Sequence, residues 1–419
     1  MRKHEVPFLM AEQTTRVFLL RHGESTFNQQ GRYQGCSDES VLTERGLRTA
    51  FQAGCYLRSE WPDVVLASPL QRARQTAETI LSALGDITPR RVPPIEFHEL
   101  LKEIDLPLWE GRTYDEVRRE FSGDYRTWME RPHRLRMNAP GRSRTPIRPV
   151  LDLYHRAARF WSQILPRFAG KRVLIISHGG TVRALVGTAL GISEGFYHRT
   201  QHSNGGITIL RFEGAGPGRS RIEGLNLTGY LGRRLPKLKE GKRGVRLVLL
   251  PPGRGGMESV HAPPLLDEWK PDFVVASPAA ARRITVDGRH EIRLIGEEIL
   301  CGWDRHSLRG LMRSHPLKES RARECAASSS AGMEGYGAPC ALPGVASSVL
   351  TGVVIAPVKS LLPVLLSTAG VEKRDGIRWD MHEGCISVLH YPDPDGVPVL
   401  QAFNVPVNVA AAAGRREAS

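Results

Sequence analysis

Two histidines in this chain each stand at the end of a short apolar run. His22 comes directly after Arg21 and the run Val17–Leu20, and His178 ends the run that begins at Arg172. A neutral imidazole can accept a phosphoryl group and release it again. Guanidinium groups suit phosphate because they bind it through two parallel hydrogen bonds. This combination indicates phosphoryl-group chemistry with a histidine as the nucleophile.

A second arginine follows a third apolar run. The stretch 62–68 ends in a serine, Pro69 predicts the start of a helix, and Arg72 lies in its first turn. Backbone N–H groups at a helix N-terminus already favour an anion. We therefore expect one anion site formed by Arg21, His22, Arg72 and His178.

Hydrolysis of a phosphate ester also needs a group that moves protons. The leaving alkoxide must gain a proton and the attacking water must lose one, and a single carboxyl can do both. Glu103, in the acidic loop 100–111, is the first candidate. Glu24, Asp105 and Glu110 are the alternatives.

The apolar runs predict the elements that would hold these groups. Strands over 16–20, 62–68 and 172–177 alternate with helical patterns over 43–57, 70–77 and 151–168. Alternating strands and helices predict a three-layer α/β/α fold with a mostly parallel central sheet. Strands at 206–212 and 222–227 would close the unit, the second as an edge strand. In such sheets ligands bind at the carboxyl ends of the strands, where the four residues stand.

These motifs, taken together and in this order, resemble the histidine phosphatase superfamily, in its phosphoglycerate-mutase-like branch. The resemblance covers roughly residues 15–230. The segments that carry it are Arg21–Asn28, Gln34-Gly35, Ser68–Ala77, Glu103 before Trp109–Gly111, and Ser177–Gly180.

The resemblance implies a role for each site residue. His22 would be the phospho-acceptor and Glu103 the proton donor, while Arg21, Arg72 and His178 would form the phosphate pocket. It also implies that Asn28 and the turn Gln34-Gly35 contact the phosphoryl group or the substrate, and we place Gly179 with them. The chemistry requires no metal, so we predict neither a metal nor a cofactor.

The segment after Glu103 favours a phosphatase within this branch. The mutases carry a segment of the type Glu-Arg-His-Tyr-Gly, whereas this chain has Glu103-Ile-Asp-Leu-Pro107. Pro107 replaces a glycine that relatives carry and alters the path of the loop. A cofactor-dependent phosphoglycerate mutase and a non-enzymatic binding or regulatory protein are the alternatives.

The chain also repeats itself. Residues 246–253 parallel 16–23, residues 271–278 parallel 62–69, and residues 384–391 parallel 205–212. The site residues do not recur, because Pro251, Pro252, Ala281 and Pro357 stand where Arg21, His22, Arg72 and His178 would be. We therefore predict two tandem histidine-phosphatase-like domains, the second shortened and inactive, with a loose loop around 326–344.

The predicted boundaries follow from this repeat. They are a flexible N-terminus over 1–14, a catalytic domain over 15–231, a basic linker over 232–244, the degenerate domain over 245–409 and a tail over 410–419. An active domain joined to a degenerate one is similar to the 2-carboxyarabinitol-1-phosphatase-type proteins of plants and cyanobacteria. That group removes phosphate from sugar phosphates that inhibit Rubisco.

Composition limits the remaining classes. The 419 residues carry a net charge of +14, but the arginines gather in 131–148 and 233–243 rather than in a stripe with aromatic residues, so we predict no specific nucleic-acid binding. No apolar segment is long enough to span a membrane, and no secretory signal is evident. The six cysteines are scattered, which favours reduced thiols. We expect a cytoplasmic protein that acts on a small phosphorylated metabolite, and homodimerisation stays open.

Overall fold

The computed structural model describes residues 13–86, 90–138, 141, 146–214, 216–232, 235–238, 244–252, 269, 271–278, 292–294, 349–371, 375–392 and 397–407. We call residues 13–232 the first half and residues 244–407 the second half. Residues 1–12 of the predicted N-terminal segment 1–14, the loose loop 326–344, Ala281 and the tail 410–419 lie outside the described residues.

Six strands of the first half alternate with helices. The strands are β1 (Thr14–Arg21), β2 (Val64–Ala67), β3 (Ile95–Phe97), β4 (Arg172–Ser177), β5 (Ile207–Glu213) and β6 (Ser220–Leu227). The α-helices are α1 (Thr26–Gln29), α2 (Glu44–Leu57), α3 (Gln71–Gly85), α4 (Tyr114–Glu120), α5 (Ser122–Glu130), α6 (Pro149–Arg167) and α7 (Gly179–Leu190). Short 3₁₀ helices cover Glu99–Leu101, Pro132–Arg134, Glu194–Arg199 and Gly229–Leu231.

Strand β1 is buried on both faces, as its apolar run predicts. It pairs in parallel with β4 and antiparallel with β5. Successive side chains point to opposite faces, so Val17 and Leu19 pack in one core while Phe18 and Leu20 pack in the other. Helices α6 and α7 contribute to the first core, and α2 and α3 to the second. The carboxyl ends of β1, β2 and β4 therefore meet at one edge.

The second half contributes seven strands and one described helix. They are β7 (Val245–Leu250), β8 (Phe273–Ala276), β9 (Ile292–Leu294), β10 (Leu350–Ile355), β11 (Ile377–Trp379), β12 (Cys385–Tyr391), β13 (Val399–Pro406) and helix α8 (Val358–Ala369). The strand order across the whole sheet is β3-β2-β4-β1-β5-β6-β13-β12-β7-β10-β8-β9, with β11 paired to β6. The halves thus share one continuous mixed sheet.

The prediction that residues 222–227 form an edge strand is wrong. Strand β6 lies in the middle of the sheet, where Leu225 pairs antiparallel with Phe403 of β13 and Ile222 pairs in parallel with Trp379 of β11. The alternating pattern of β6 shows only that it is a strand. Strands β11 and β13 lie more than 150 residues further along the chain than β6, so no local pattern identifies them as its partners.

Several boundaries also differ from the sequence-based ones. Helix α3 begins at Gln71 rather than at Pro69, with Leu70 as its N-cap. Helix α6 begins at Pro149, because a proline at the first helical position loses no hydrogen bond. The stretch 121–149 includes helix α5. Within the described residues, no helix combines the length and the apolar character needed to cross a membrane.

Candidate active site

His22 lies directly after β1, with 1% of its surface exposed. Its backbone N–H donates to the carbonyl oxygen of Ser177 at 2.9 Å, which keeps it level with the end of β4. Its Nδ1 lies 2.7 Å from the carbonyl oxygen of Gly23. Because a carbonyl oxygen only accepts, Nδ1 carries the ring proton and Nε2 keeps the lone pair. The ring is therefore oriented with Nε2 as its nucleophilic atom.

The guanidinium groups of Arg21 and Arg72 bind backbone oxygens at the same edge. Arg21 Nη1 donates to the carbonyl oxygen of His202 at 2.9 Å. Arg72 donates to Ser37 at 2.8 Å and to Gly35 at 2.9 Å. The Nε of each arginine is buried without a hydrogen-bond partner, and neither forms an ion pair in the part of the chain that the structure describes. Buried cationic donors of this kind suit an anionic ligand.

His178 is held by a serine at the end of β2. Its Nε2 lies 2.7 Å from Ser68 Oγ, and its Nδ1 is buried without a partner among the described residues. Ser68 Oγ also accepts the backbone N–H of Leu70 at 3.4 Å. The serine hydroxyl hydrogen can point at Nε2, and in that arrangement the ring proton of His178 lies on Nδ1. His178 is thus a neutral donor, and its ring lies 5.2 Å from that of His22, measured between centroids.

Burial and positive charge keep both rings neutral. Burial lowers the pKa of His22 well below its ordinary value, and Arg72 and Arg21 lower it further. The pKa of His178 is lowered well below its ordinary value by the same causes, burial first. A protonated imidazole has no free lone pair at nitrogen, so a low pKa keeps the nucleophile of His22 available.

Glu103 reaches the same place from the loop after the 3₁₀ helix Glu99–Leu101. Its carboxylate accepts the backbone N–H groups of Gly180 and Thr181, each at 3.1 Å. These are early N–H groups of α7, so Glu103 caps the helix that begins directly after His178. Burial lowers the pKa of Arg21 and of Arg72, and the negative charge of Glu103 opposes that lowering in both. The Glu103 carboxylate therefore favours the charged form of both guanidinium groups.

The alternative carboxylates have other partners. Glu24 accepts the hydroxyl of Thr43 at 3.3 Å and lies 3.6 Å from Arg45. The Glu110 carboxylate accepts the backbone N–H of Cys36 at 2.6 Å. Both groups therefore support the surrounding loops.

One group of three potential metal ligands occurs among the described residues: Cys36, Asp105 and Glu110. Burial raises the pKa of the Cys36 thiol to about 11. The thiol is then protonated at neutral pH, and its sulfur lies 3.2 Å from the carbonyl oxygen of Glu103, to which it donates. In this arrangement the thiol donates a hydrogen bond to the backbone of Glu103, and the Glu110 carboxylate accepts one from the backbone of Cys36.

The substrate-contacting residues that the resemblance implies surround this edge. Asn28 Oδ1 accepts from Ser25 Oγ at 3.1 Å, and Gln34 Oε1 accepts from the same hydroxyl at 2.9 Å. Gly35 offers its carbonyl oxygen to Arg72. A Cβ on Gly179 would lie 3.2 Å from Arg21 Nε. All four residues are therefore near the site, and these contacts give Asn28, Gln34 and Gly35 a part in its scaffold.

A close backbone contact requires glycine at both position 23 and position 46. A Cβ on Gly23 would lie 2.4 Å from the carbonyl oxygen of Gly46, and one on Gly46 would lie 2.1 Å from that of Glu24. The first turn of α2 packs directly on the loop after His22, and only glycines leave room for that contact.

Sequence reasoning did not identify two residues of the site. Asn204 Nδ2 donates to the carbonyl oxygens of His22 and Gly23, each at 3.1 Å, and to Asn28 Oδ1 at 2.9 Å. Ser68 was part of a motif but received no role. The turn signal Asn204-Gly205-Gly206 before β5 marks the place of Asn204, although nothing local shows what its side chain contacts.

Comparison with known proteins gives one family. The model of the histidine phosphatase superfamily (branch 1) matches residues 17–226. A probable 2-carboxy-D-arabinitol-1-phosphatase of Arabidopsis thaliana is 34% identical over 48% of this chain and 39% of its own length. Phosphoserine phosphatase 1 of Hydrogenobacter thermophilus is 30% identical over 52% of this chain and 94% of its own.

Among solved structures, Bacillus stearothermophilus YhfR is 30% identical, with a TM-score of 0.42, over 48% of this chain and 93% of its own. The chain spans 39% of the Arabidopsis relative and 37% of the 2-carboxy-D-arabinitol-1-phosphatase of Triticum aestivum. The family match contains Arg21, His22, Arg72, Glu103 and His178 in one segment. The chain belongs to the histidine phosphatase superfamily.

Proposed function

We propose that this protein hydrolyses phosphate monoesters of small metabolites through a phosphohistidine at His22, without a metal. The observation that carries the proposal is the set of buried donors around that ring. Arg21 Nε, Arg72 Nε and His178 Nδ1 are buried without partners among the described residues. A phosphoryl group would satisfy them, and the positive charge of the two arginines would stabilise the transferring oxygens.

The reaction divides into two displacements. In the first, Nε2 of His22 attacks phosphorus, the bond to the ester oxygen breaks, and that oxygen takes a proton from Glu103. In the second, Glu103 takes a proton from a water molecule whose oxygen attacks phosphorus, and the P–N bond breaks. Glu103 and His22 return to their starting states. Ester and water have become alcohol and phosphate.

We further propose a phosphorylated sugar acid, such as 2-carboxy-D-arabinitol 1-phosphate, as the substrate. The support is the 2-carboxy-D-arabinitol-1-phosphatase activity by which the Arabidopsis and wheat relatives are named, which are 34% and 33% identical over about half of this chain. Phosphoserine is the competing substrate, because a relative covered over 94% of its length is a phosphoserine phosphatase.

We propose that the second half, taken as residues 245–409, is a shortened repeat of the first that lacks the site. The order β3-β2-β4-β1-β5-β6 and the order β9-β8-β10-β7-β12-β13 correspond strand by strand. Helices α7 and α8 both have 12 residues and end at a left-handed glycine. Pro251, Pro252 and Pro357 stand where the first half has Arg21, His22 and His178, and none of them can carry a phosphoryl group.

The test measures phosphate release from 2-carboxy-D-arabinitol 1-phosphate, phosphoserine and 3-phosphoglycerate, each with and without a chelator. His22→Ala is the test variant and His155→Ala, at an exposed position of α6, is the matched control. We expect release that survives the chelator, is normal in His155→Ala and is lost in His22→Ala.

Three results would contradict parts of the proposal. Turnover by His22→Ala at the wild-type rate would exclude the phosphohistidine. Loss of activity with the chelator that returns with added metal would exclude metal independence. Interconversion of phosphoglycerates without phosphate release would favour a mutase instead.

A further inference from the structure

Residues 200–206 form a segment that lies between the site and the second half, and we call it the junction segment. On one side it holds the residues of the site. The carbonyl oxygen of His202 accepts a hydrogen bond from Arg21 Nη1 at 2.9 Å, and the Gly205 N–H donates to the Arg21 carbonyl oxygen at 2.9 Å. Asn204 binds the carbonyl oxygens of His22 and Gly23. The position of the phosphate-binding arginine and of the nucleophile therefore depends on this segment.

On its other side the junction segment rests on β13. The Gln201 N–H donates to the carbonyl oxygen of Leu400 at 2.9 Å, and Thr200 bridges Leu400 in parallel. Gln401 Nε2 donates to Gln201 Oε1 at 3.0 Å. Gln201 and Gln401 are 3% and 0% exposed. In a buried environment each of these bonds is costly to break, because water cannot replace the lost partner.

Asn226 of β6 ties the same two parts together. Its Oδ1 accepts the backbone N–H of Ser203 at 2.7 Å, and its Nδ2 donates to the carbonyl oxygen of Gln401 at 2.7 Å. Its φ of 54° is left-handed, a conformation that asparagine and glycine tolerate. The side chain thus connects the middle of the junction segment to the second half directly.

The contact between the halves is reciprocal, because each half pairs in parallel with a segment of the other. Leu400 at the start of β13 bridges Thr200 in parallel, and Ile222 in β6 pairs in parallel with Trp379 of β11. The second half therefore supports the segment before β5, and the first half supports the segment before β12. Only in the first half does that segment hold the residues of a site.

We propose that the second half holds Arg21 and His22 of the phosphate site in position, and we call this function the brace. Gln401 and Asn226 are its positioning residues, and they act through the junction segment. The activity readout of this proposal rests on the proposed function. Neither residue contacts the phosphoryl group. When their bonds are lost, His202 and Asn204 shift, and the donors of Arg21 and the ring of His22 no longer converge on one oxyanion.

The chain offers a matched control for this brace. Asn404 in β13 has a φ of 52°, and its side chain also makes two hydrogen bonds, to the His382 N–H at 2.9 Å and the Asp380 carbonyl at 2.7 Å. Both of these bonds stay within the second half. Asn226→Gly and Asn404→Gly each keep the left-handed backbone and remove a comparable set of bonds. Gln401→Leu removes the bond to Gln201 at nearly constant volume.

The experiment measures the affinity of each full-length variant for inorganic phosphate and orthovanadate by calorimetry, together with kcat, KM and the melting temperature. We expect Asn226→Gly and Gln401→Leu to weaken phosphate binding by roughly five- to twentyfold, as expected when a positioning hydrogen bond is lost. We expect Asn404→Gly to melt earlier while its phosphate affinity stays within about twofold of wild type, because its bonds do not reach the site.

Equal loss of affinity in Asn404→Gly and Asn226→Gly would show general destabilisation and overturn the brace. Unchanged affinity in both Asn226→Gly and Gln401→Leu would overturn it as well. If Asn226→Gly does not fold, Gln401→Leu decides alone. A wild-type protein that binds phosphate but hydrolyses no ester would contradict the proposed function, and the affinities would still test the brace.

Discussion

The hydroxyl of Ser68 and the Nε2 of His178 lie 2.7 Å apart, between the ends of two neighbouring strands. Both residues are 0% exposed, so the hydrogen bond has no competition from solvent. Ser68 thereby determines which nitrogen of His178 carries the proton. The nitrogen that has no partner, Nδ1, becomes a donor for an incoming anion.

Ser68→Ala is therefore expected to weaken phosphate binding although the substituted side chain is not itself a phosphate ligand. Without the serine hydroxyl, the ring of His178 loses its preferred tautomer and orientation. We expect kcat/KM to fall by roughly tenfold, in line with the loss of one buried hydrogen bond. Steady-state kinetics and phosphate affinity would measure this.

Ser220→Ala is the matched control, because this buried serine donates to the Ala189 carbonyl, away from the site. It should lower stability and leave kcat/KM unchanged. A Ser68→Ala protein with wild-type affinity for phosphate would show that His178 keeps its tautomer without Ser68.

Acid should destabilise the protein through its two buried histidines. Their pKa values in the folded state lie well below the unfolded value of about 6.5. As the pH falls through that value, the unfolded chain takes up protons that the folded chain does not. The free energy of unfolding then drops by up to about 1.4 kcal/mol per pH unit for each histidine. Urea unfolding from about pH 7.5 to 5, in phosphate-free buffer, would measure the slope.

The variant His178→Gln should have a shallower acid slope than the wild type, because one of the two groups is gone. His155→Gln, at an exposed position, should keep the wild-type slope. Equal slopes in all three proteins would mean that the buried rings do not resist protonation.

Glu103→Gln should affect substrates according to their leaving groups. An alkyl phosphate needs a proton on its leaving oxygen, and losing the acid should lower kcat by roughly 10² to 10⁴. A p-nitrophenyl ester leaves as a stable phenolate and should lose much less in the phosphorylation step. The ratio of kcat/KM for the two substrates, measured by phosphate release, reports the steps up to phosphorylation of His22 and so isolates the role of Glu103 as the acid.

Glu24→Gln is the control for this prediction, because Glu24 is engaged by Thr43 and Arg45. Its ratio should equal that of the wild type. A uniform loss of kcat/KM on both substrates in Glu103→Gln would instead indicate that the carboxylate only caps α7, because kcat/KM excludes the second step, in which Glu103 serves both substrates as the base.

The parts of the site that could be predicted from sequence are those carried by local patterns. The apolar runs before His22 and His178 gave the strands, and parallel strands bring their carboxyl ends to one edge. The first turn of α3 likewise places Arg72 there. These inferences need only the period of side chains along an element and the direction of neighbouring strands.

The parts that could not be predicted depend on contacts between distant segments. Asn204 binds His22 across 182 residues of chain, and Gln401 binds Gln201 across 200. The repeat in the sequence indicates that the halves are alike, but it does not show that β6 and β13 pair. Hydrophobic patterning determines which face of a strand is buried, and it leaves the neighbouring strand undetermined.

Gly180, in the first turn of α7, should not tolerate a side chain. An added Cβ would lie 2.5 Å from Glu103 Oε1 and 2.5 Å from the hydroxyl of Tyr197, which is 2% exposed. Gly→Ala within a helix ordinarily stabilises by about 0.5–1 kcal/mol. Here the methyl group must displace a carboxylate or a buried ring, so we expect Gly180→Ala to destabilise by about 1–3 kcal/mol.

Activity should fall with it, because Glu103 is the side chain that can move most easily. We expect kcat on an alkyl phosphate to fall by at least about tenfold. Gly123→Ala in α5 is the control, since no atom lies within 4 Å of its added Cβ, and it should be slightly more stable with unchanged kcat. Chemical unfolding and kinetics on both variants would measure this. A Gly180→Ala protein that gained stability and kept its kcat would mean that Glu103 does not need its place against α7, and the acid–base role assigned to that carboxylate would have to be given to another group.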